Sequence, residues 1–291
     1  GSESPKSGAK AGAALIAIIS NRALVLRKLA AGFVAGTVGM MSEAVHAGMD
    51  LIASLMAYVS VKVAERPPDQ GHPFGHGKAE NLAALFEGLL ILAAGIMVAW
   101  KAGLSLFHPE PLPDLGLGAL VMLVSAVVNT LVSRFLFKVG QRTESAALIA
   151  DAWHLRTDVY TSLGVFAALG GIMVGARLAP NLDLYILDPI CALAVALMIL
   201  KAGVKLSWEA VGQLLDCSLS PDELGLIMSH IQARAPKIKG YSVMNRSSGS
   251  SRVIYMTLHV YCSILGDSGH KRGEDLVASI REMFTDSQRT I

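Results

Sequence analysis

Two copies of one spacing lie in otherwise apolar surroundings. The run "VHAGMD" places His46 four residues before Asp50, and "WHLRTD" places His154 four residues before Asp158. On a helix, residues four apart share a face about one turn apart, so each pair presents an imidazole beside a carboxylate. One pair alone reads equally well as a histidine bonded to a nearby carbonyl with an aspartate capping a local kink. Two identical pairs on different segments read as halves of one site. Together they offer two nitrogen and two oxygen donors, a set suited to a tetrahedral divalent cation, and zinc is the ion that most prefers it. A cation would offset the two carboxylate charges, and protons could take its place when it leaves.

A third cluster is shorter. "DQGHPFGHGK" sets Asp69, His72 and His76 within eight residues, enough for a three-ligand metal site completed by water, although a short histidine-bearing loop by itself is more often only solvated. Glu43 and Asp151 precede the two His/Asp pairs by one turn. They read either as vestibule or supporting groups, or as solvated acids at helix ends. Asn129 suits an interhelical hydrogen bond, and Gly48, Gly164 and Gly170 suit close helix contact.

The elements that must position these residues are membrane helices. Of 291 residues, 53% are hydrophobic and 16% charged, and the mean hydropathy is positive, outside the range of a soluble domain. A net charge of +2 without a basic tract excludes nucleic acid as a partner. Cys191, Cys217 and Cys262 are odd in number and far apart, fit neither a disulfide framework nor a CxxC site, and read as packing residues. The opening "GSESPKSGAK" lacks the apolar core of a signal peptide, and its Gly-Ser start reads as an expression scar.

A bilayer core of about 30 Å needs roughly 20 mostly apolar residues per helix. Six segments meet that length, at about 11–37, 38–64, 79–106, 114–139, 144–176 and 182–207. The first is interrupted by Arg22, Arg27 and Lys28 and is the weakest of the six. Lys62, Arg66 and Lys78 flank the loop after the second span, and Arg134, Lys138 and Arg142 that after the fourth, whereas the odd-numbered loops hold only Arg177. The positive-inside rule then makes the even loops and both termini cytoplasmic.

Beyond about residue 212 the character changes. "SPDELGLIMSHIQARAP" reads as an amphipathic helix with Ser220 as N-cap and acids in its first turn. "KGYSVMNR" and "SRVIYMTLHVYCS" read as two strands joined at "SSGS", and "GEDLVASIREMF" as a second helix. The expected organisation is a tail over 1–10, a six-helix transmembrane domain over 11–208 and a small cytoplasmic α+β domain over 209–291, incomplete because no clear third strand follows.

Taken together, the paired HxxxD motifs, the "HPFGHGKAE" loop and the "LLD" after the sixth span resemble the cation diffusion facilitator family, over nearly the whole chain. The resemblance implies a homodimeric, multi-pass antiporter of a bacterial cytoplasmic membrane, which exports a divalent metal, Zn2+ first, in exchange for protons by alternating access. It is a transporter rather than an enzyme, with a metallochaperone-like, ferredoxin-like cytoplasmic domain. His46, Asp50, His154 and Asp158 match the family's transport ligands. Some members carry aspartate where His46 stands, and the histidine form resembles the zinc-preferring type. Asp69, His72 and His76 match a loop metal site, and Lys78 and Asp216 match a charge pair that holds the bundle to the cytoplasmic domain near the dimer contact.

The match weakens in the cytoplasmic domain. Tyr241 and Thr257 stand where two ligand histidines would be, and further ligands would fall beyond residue 291. His259, on a strand face with Thr257, and His270 leave room for a partial site there, not a complete one. Binding requires deprotonated ligands, and imidazole titrates at about pH 6.5 in model compounds, so His46 and His154 suit an exchange of protons for metal. Alternatives are the same transport with Cd2+, Co2+, Mn2+ or Fe2+, a nontransporting membrane metal sensor, or a membrane metalloenzyme, which would need an open coordination position and a general base.

Overall fold

The computed structural model describes residues 9–20, 22, 38–107, 116–178, 186–234, 238–249, 251–260, 274–275 and 278. The chain divides into two compact units, Gly1–Val211 and Gly212–Ile291.

The first unit is helical: α1 (Ala9–Ser20), α2 (Val38–Ala64), α3 (Lys78–Phe107), α4 (Gly116–Thr143), α5 (Ala146–Leu178) and α6 (Leu187–Leu214), the last running just past the division between the units. Among the described residues, three stretches are long and apolar enough to cross a membrane, Lys78–Phe107, Leu123–Thr143 and Leu187–Leu214. Helix α6 outruns the apolar run by seven residues, because "SWEAVGQL" continues its pattern and a defined stop comes only at Asp216. There φ is 60°, and the amides of Asp216 and Cys217 return to the carbonyls of Gln213 and Gly212. Glu144 (φ 54°) closes α4 in the same way, its amide and that of Ser145 bonding Gln141 and Gly140. Both ends are the left-handed cap that glycine usually supplies.

Two clusters of buried residues hold the unit. One joins Ala13, Ala14 and Ala17 of α1 to Ala57 and Val61 of α2, Ala83 of α3, Leu136 of α4 and Ala147, Leu148, Ala152 and Leu155 of α5. The other joins Ala84 and Ile91 of α3 to Ala150 of α5 and Ile199, Leu206 and Ala210 of α6. The abundance of alanine lets helix backbones approach closely, the main source of cohesion where lipid removes the hydrophobic drive. Glycine does the same between α3 and α6: a Cβ at Gly88 would lie 3.1 Å from the Ser207 backbone nitrogen, and one at Gly203 would lie 2.9 Å from Leu92 Cγ. Gly164 meets Val195 as its small size suggested, whereas among the described residues nothing lies within 4 Å of a Cβ at Gly170.

Outward faces are apolar. Leu82, Leu89, Ile96, Trp100, Leu104 and Phe107 of α3 and Leu197, Val204 and Trp208 of α6 are exposed, while Asp50, Glu80, Asn81, Glu87, Asp151 and His154 are buried. This inverts the pattern of a water-soluble domain and is what a lipid solvent selects.

The second unit contains α7 (Pro221–Arg234) and an antiparallel hairpin of β1 (Ile238–Ser248) and β2 (Ser251–Val260), in register from Ser248 against Ser251 to Gly240 against His259. Leu219, Ile227 and Ile231 form its core, with Val243, Ile254 and Met256 packed on them. Ser220 caps α7 as the sequence suggests. Its hydroxyl accepts the Glu223 amide at 3.3 Å, and the Glu223 carboxylate accepts the Ser220 amide at 3.2 Å, a reciprocal capping box. Burial pushes the Glu223 carboxyl up, but hydrogen bonds from Arg252 and Ser220 outweigh it and leave the group below its ordinary range. The helix expected from "GEDLVASIREMF" lies mostly outside the described residues, as do His270 and Cys262. Cys217 is exposed, contrary to the packing role expected of it, and Cys191 is half-buried.

Candidate metal sites

Helices α2 and α5 carry the first site. Asp50 lies near the middle of α2 and His154 nine residues into α5, and His154 Nε2 meets Asp50 Oδ1 at 3.0 Å with both side chains almost fully buried. Asp158, one turn further along α5, completes a group in which one ligand atom from each of Asp50, His154 and Asp158 lies within 4.8 Å of the others. The α5 backbone around them is tied by side chains. Thr157 Oγ1 donates to the His154 carbonyl, and Thr161 and Ser162 donate to that of Asp158. His154 Nδ1 is buried without a hydrogen-bond partner among the described residues. The arrangement offers a divalent cation one nitrogen and two carboxylates. His46 sits one turn before Asp50 in α2, but its side chain lies outside those described.

The second site is the loop between α2 and α3. Asp69 and His72 bond each other's backbones at 3.2 Å in both directions, and the His72 amide also donates to Asp69 Oδ1 at 2.7 Å. Gly75 (φ 80°) makes the turn that brings His76 back, so that His72 Nδ1 and His76 Nε2 lie 3.3 and 3.4 Å from the two oxygens of Asp69. The Asp69 carboxyl is held below the ordinary carboxylate range, first by the His72 amide. His76 starts α3, its carbonyl accepting the Ala79 amide, and its Nδ1 is buried without a partner among the described residues.

The chain matches the family model for the cation efflux transmembrane domain over residues 14–215. It belongs to the cation diffusion facilitator, or cation efflux, family. An uncharacterized transporter of Synechocystis is 32% identical over 264 residues, covering 90% of this chain and 83% of that one. The cation-efflux pump FieF of Klebsiella pneumoniae, and FieF of Escherichia coli, are each 30% identical over 276 residues, covering 94% of this chain and 89% of theirs. These relatives are transporters, not enzymes.

For a member of the cation efflux family, the buried interior holds more than the sequence motifs announced. Asp151, for which a solvated helix-end acid was one reading, is fully buried and accepts the Ser54 hydroxyl at 3.0 Å. Glu80 is fully buried where α3 begins, taking Lys10 Nζ at 2.9 Å and the Ser145 hydroxyl, so it ties α1 and the start of α5 to α3. Glu87 is fully buried in α3. The signal for Glu87 was available, since a carboxylate inside "ALFEGLLIL" is costly in lipid and marks a functional candidate. Asn129 is buried, but its Oδ1 has no partner among the described residues, so the expected interhelical bond is not made through that atom. Lys78 opens α3 in the first unit. Asp216 in the second accepts two hydrogen bonds from Arg246 Nη1, at 2.9 and 3.0 Å.

Proposed function

We propose that this protein exports Zn2+ from the cytoplasm in exchange for protons, by alternating access around a site made of His46, Asp50, His154 and Asp158. The observation that carries the reading is the convergence of Asp50 with His154 and Asp158 from two separate helices. A histidine one turn before Asp50 would make the donor set two nitrogens and two oxygens, which suits tetrahedral zinc. The name of the FieF relatives, cation-efflux pump, supports the direction of transport. Metal and protons compete for the same ligand atoms, so a difference in pH across the membrane would load the site on one side and empty it on the other.

In this reading six helices span the bilayer with both termini cytoplasmic, the second unit is a cytoplasmic domain, and the transporter is a homodimer of a bacterial inner membrane. Asp69, His72 and His76 form a loop metal site at the cytoplasmic entrance. Lys78 and Asp216 serve as the charge pair between bundle and cytoplasmic domain, with Arg246 sharing the aspartate. Reconstituted vesicles with an imposed pH gradient supply the test. Zinc flux should follow the gradient and fall by a factor on the order of 100 or more in Asp50→Ala and Asp158→Ala; flux that ignores the gradient, or falls less than about tenfold in either variant, refutes the mechanism. His46→Asp should weaken the preference for zinc over cadmium, and an unchanged preference would remove His46 from the selectivity.

A further inference from the structure

The polar interior of the first unit does not end at Asp50, His154 and Asp158. Glu87 is fully buried, and neither carboxylate oxygen has a hydrogen-bond partner among the described residues. Its burial follows from its place in α3. Lying three residues after Ala84 and four before Ile91, it shares the helix face that packs on Ala150 of α5 and on Ile199 and Leu206 of α6. Asp151, the residue after Ala150, is also fully buried on the stretch of α5 against which that face of α3 packs. One Asp151 oxygen accepts the Ser54 hydroxyl at 3.0 Å, while Oδ2 is buried without a partner among the described residues. Among the described residues, three buried carboxylate oxygens of the first unit therefore have no donor.

Two like charges taken out of water without partners are a high-energy arrangement, costing several kcal/mol per ion. A proton would neutralise one of them. A divalent cation between them would neutralise both at once, and two carboxylates beside a hydroxyl are the hard oxygen donors such an ion takes. We propose that Glu87, Asp151 and Ser54 form a second divalent-cation site inside the membrane unit, separate from Asp50, His154 and Asp158.

Its position gives it a role. Ser54 follows Asp50 by one turn of α2 and Asp151 precedes His154 by about one turn of α5, so the Ser54–Asp151 link lies about 6 Å along the helices from the Asp50–His154 link. The displacement is toward the end of the bundle where α2 finishes and α3 and α5 begin, the end that carries the Asp69, His72 and His76 loop. An ion at Glu87 and Asp151 stands between that loop and the transport ligands, as a way station for the cargo. The role as way station rests on the transport reading; the site itself does not.

The test is equilibrium binding of Zn2+ to the full-length protein in detergent, counting bound equivalents in wild type, Glu87→Gln, Asp151→Asn, Asp158→Ala and the Glu87→Gln/Asp158→Ala double variant. Glu87→Gln and Asp151→Asn should each lose one equivalent, Asp158→Ala a different one, and the double variant two. Because Glu87→Gln keeps the shape and removes an unpaired charge, the metal-free thermal midpoint should stay level or rise, while the upward shift produced by zinc shrinks. A full complement of zinc in Glu87→Gln, with the double variant matching Asp158→Ala, would mean an uncharged core acid only and would overturn the site. So would a lower metal-free midpoint, which would mark Glu87 as structural. Retention of every equivalent by Asp158→Ala would instead count against the transport assignment and leave the Glu87 comparison readable.

Discussion

The two histidine and aspartate clusters use the same ligand types in opposite surroundings. Asp50 and His154 are 11% and 7% exposed at the side chain, whereas Asp69 and His72 are 55% and 61% exposed. The buried cluster is carried by helices α2 and α5, which set the position of its ligand atoms. The loop cluster is built from its own backbone, with reciprocal hydrogen bonds between Asp69 and His72 and the Gly75 turn setting the donors in place. Water screens the second and not the first. Charges in the buried set therefore act more strongly on one another and on a bound cation than those in the exposed set. That contrast suits one for passage and the other for capture.

The largest effect that would break the contrast is expected at the buried site. Asp158 and His154 each offer a ligand atom to the cargo, so Asp158→Ala and His154→Ala should each lower zinc flux in vesicles by a factor on the order of 100 or more, about 2.7 kcal/mol. A loss below tenfold would mean that the site is not obligatory. Next comes the loop as a whole. Asp69→Ala/His72→Ala/His76→Ala should remove one bound zinc equivalent, yet reduce flux by less than about tenfold, under about 1.4 kcal/mol. Flux as low as in Asp158→Ala would erase the distinction between the sites.

Smaller effects sharpen the comparison within the loop. His76 is 13% exposed against 61% for His72, so His76→Ala should weaken loop zinc binding more than His72→Ala, and calorimetric titration of the two variants decides it. The smallest expected effect is the response of the empty loop to acid. Since the His72 amide holds the Asp69 carboxyl below its ordinary range, the order this carboxylate contributes is complete above about pH 4 and declines only as the pH falls through the lowered value. The His72 amide resonance in a pH titration reports it. A midpoint at or above the ordinary aspartate value would contradict the bond.

Much of this was legible in the chain because membrane sequences are simple. Apolar runs long enough to span a bilayer announce helices, and the boundaries of α2 through α5 fall within a few residues of the expected spans. The capping box of α7 and the hairpin followed from local chemistry: Ser220 with Glu223, and Gly249 (φ 58°) at the turn. The four-residue spacing in "HAGMD" and "HLRTD" likewise declared the side chains that share a face, because a helix repeats every 3.6 residues whatever surrounds it.

Spacing along one helix carries no information about the neighbour it faces. Whether Asp151 was solvated or buried, whether Gly170 or Gly88 marked a close contact, and where Glu80 and Glu87 found themselves all depended on which helices pack together. Local residue types therefore determined the helices, the loop turn and which histidines and aspartates stand one turn apart. The tertiary structure alone decided that Asp50 meets His154, that Ser54 meets Asp151, and that Glu87 is enclosed without a donor among the described residues, because burial and pairing are properties of the space between helices.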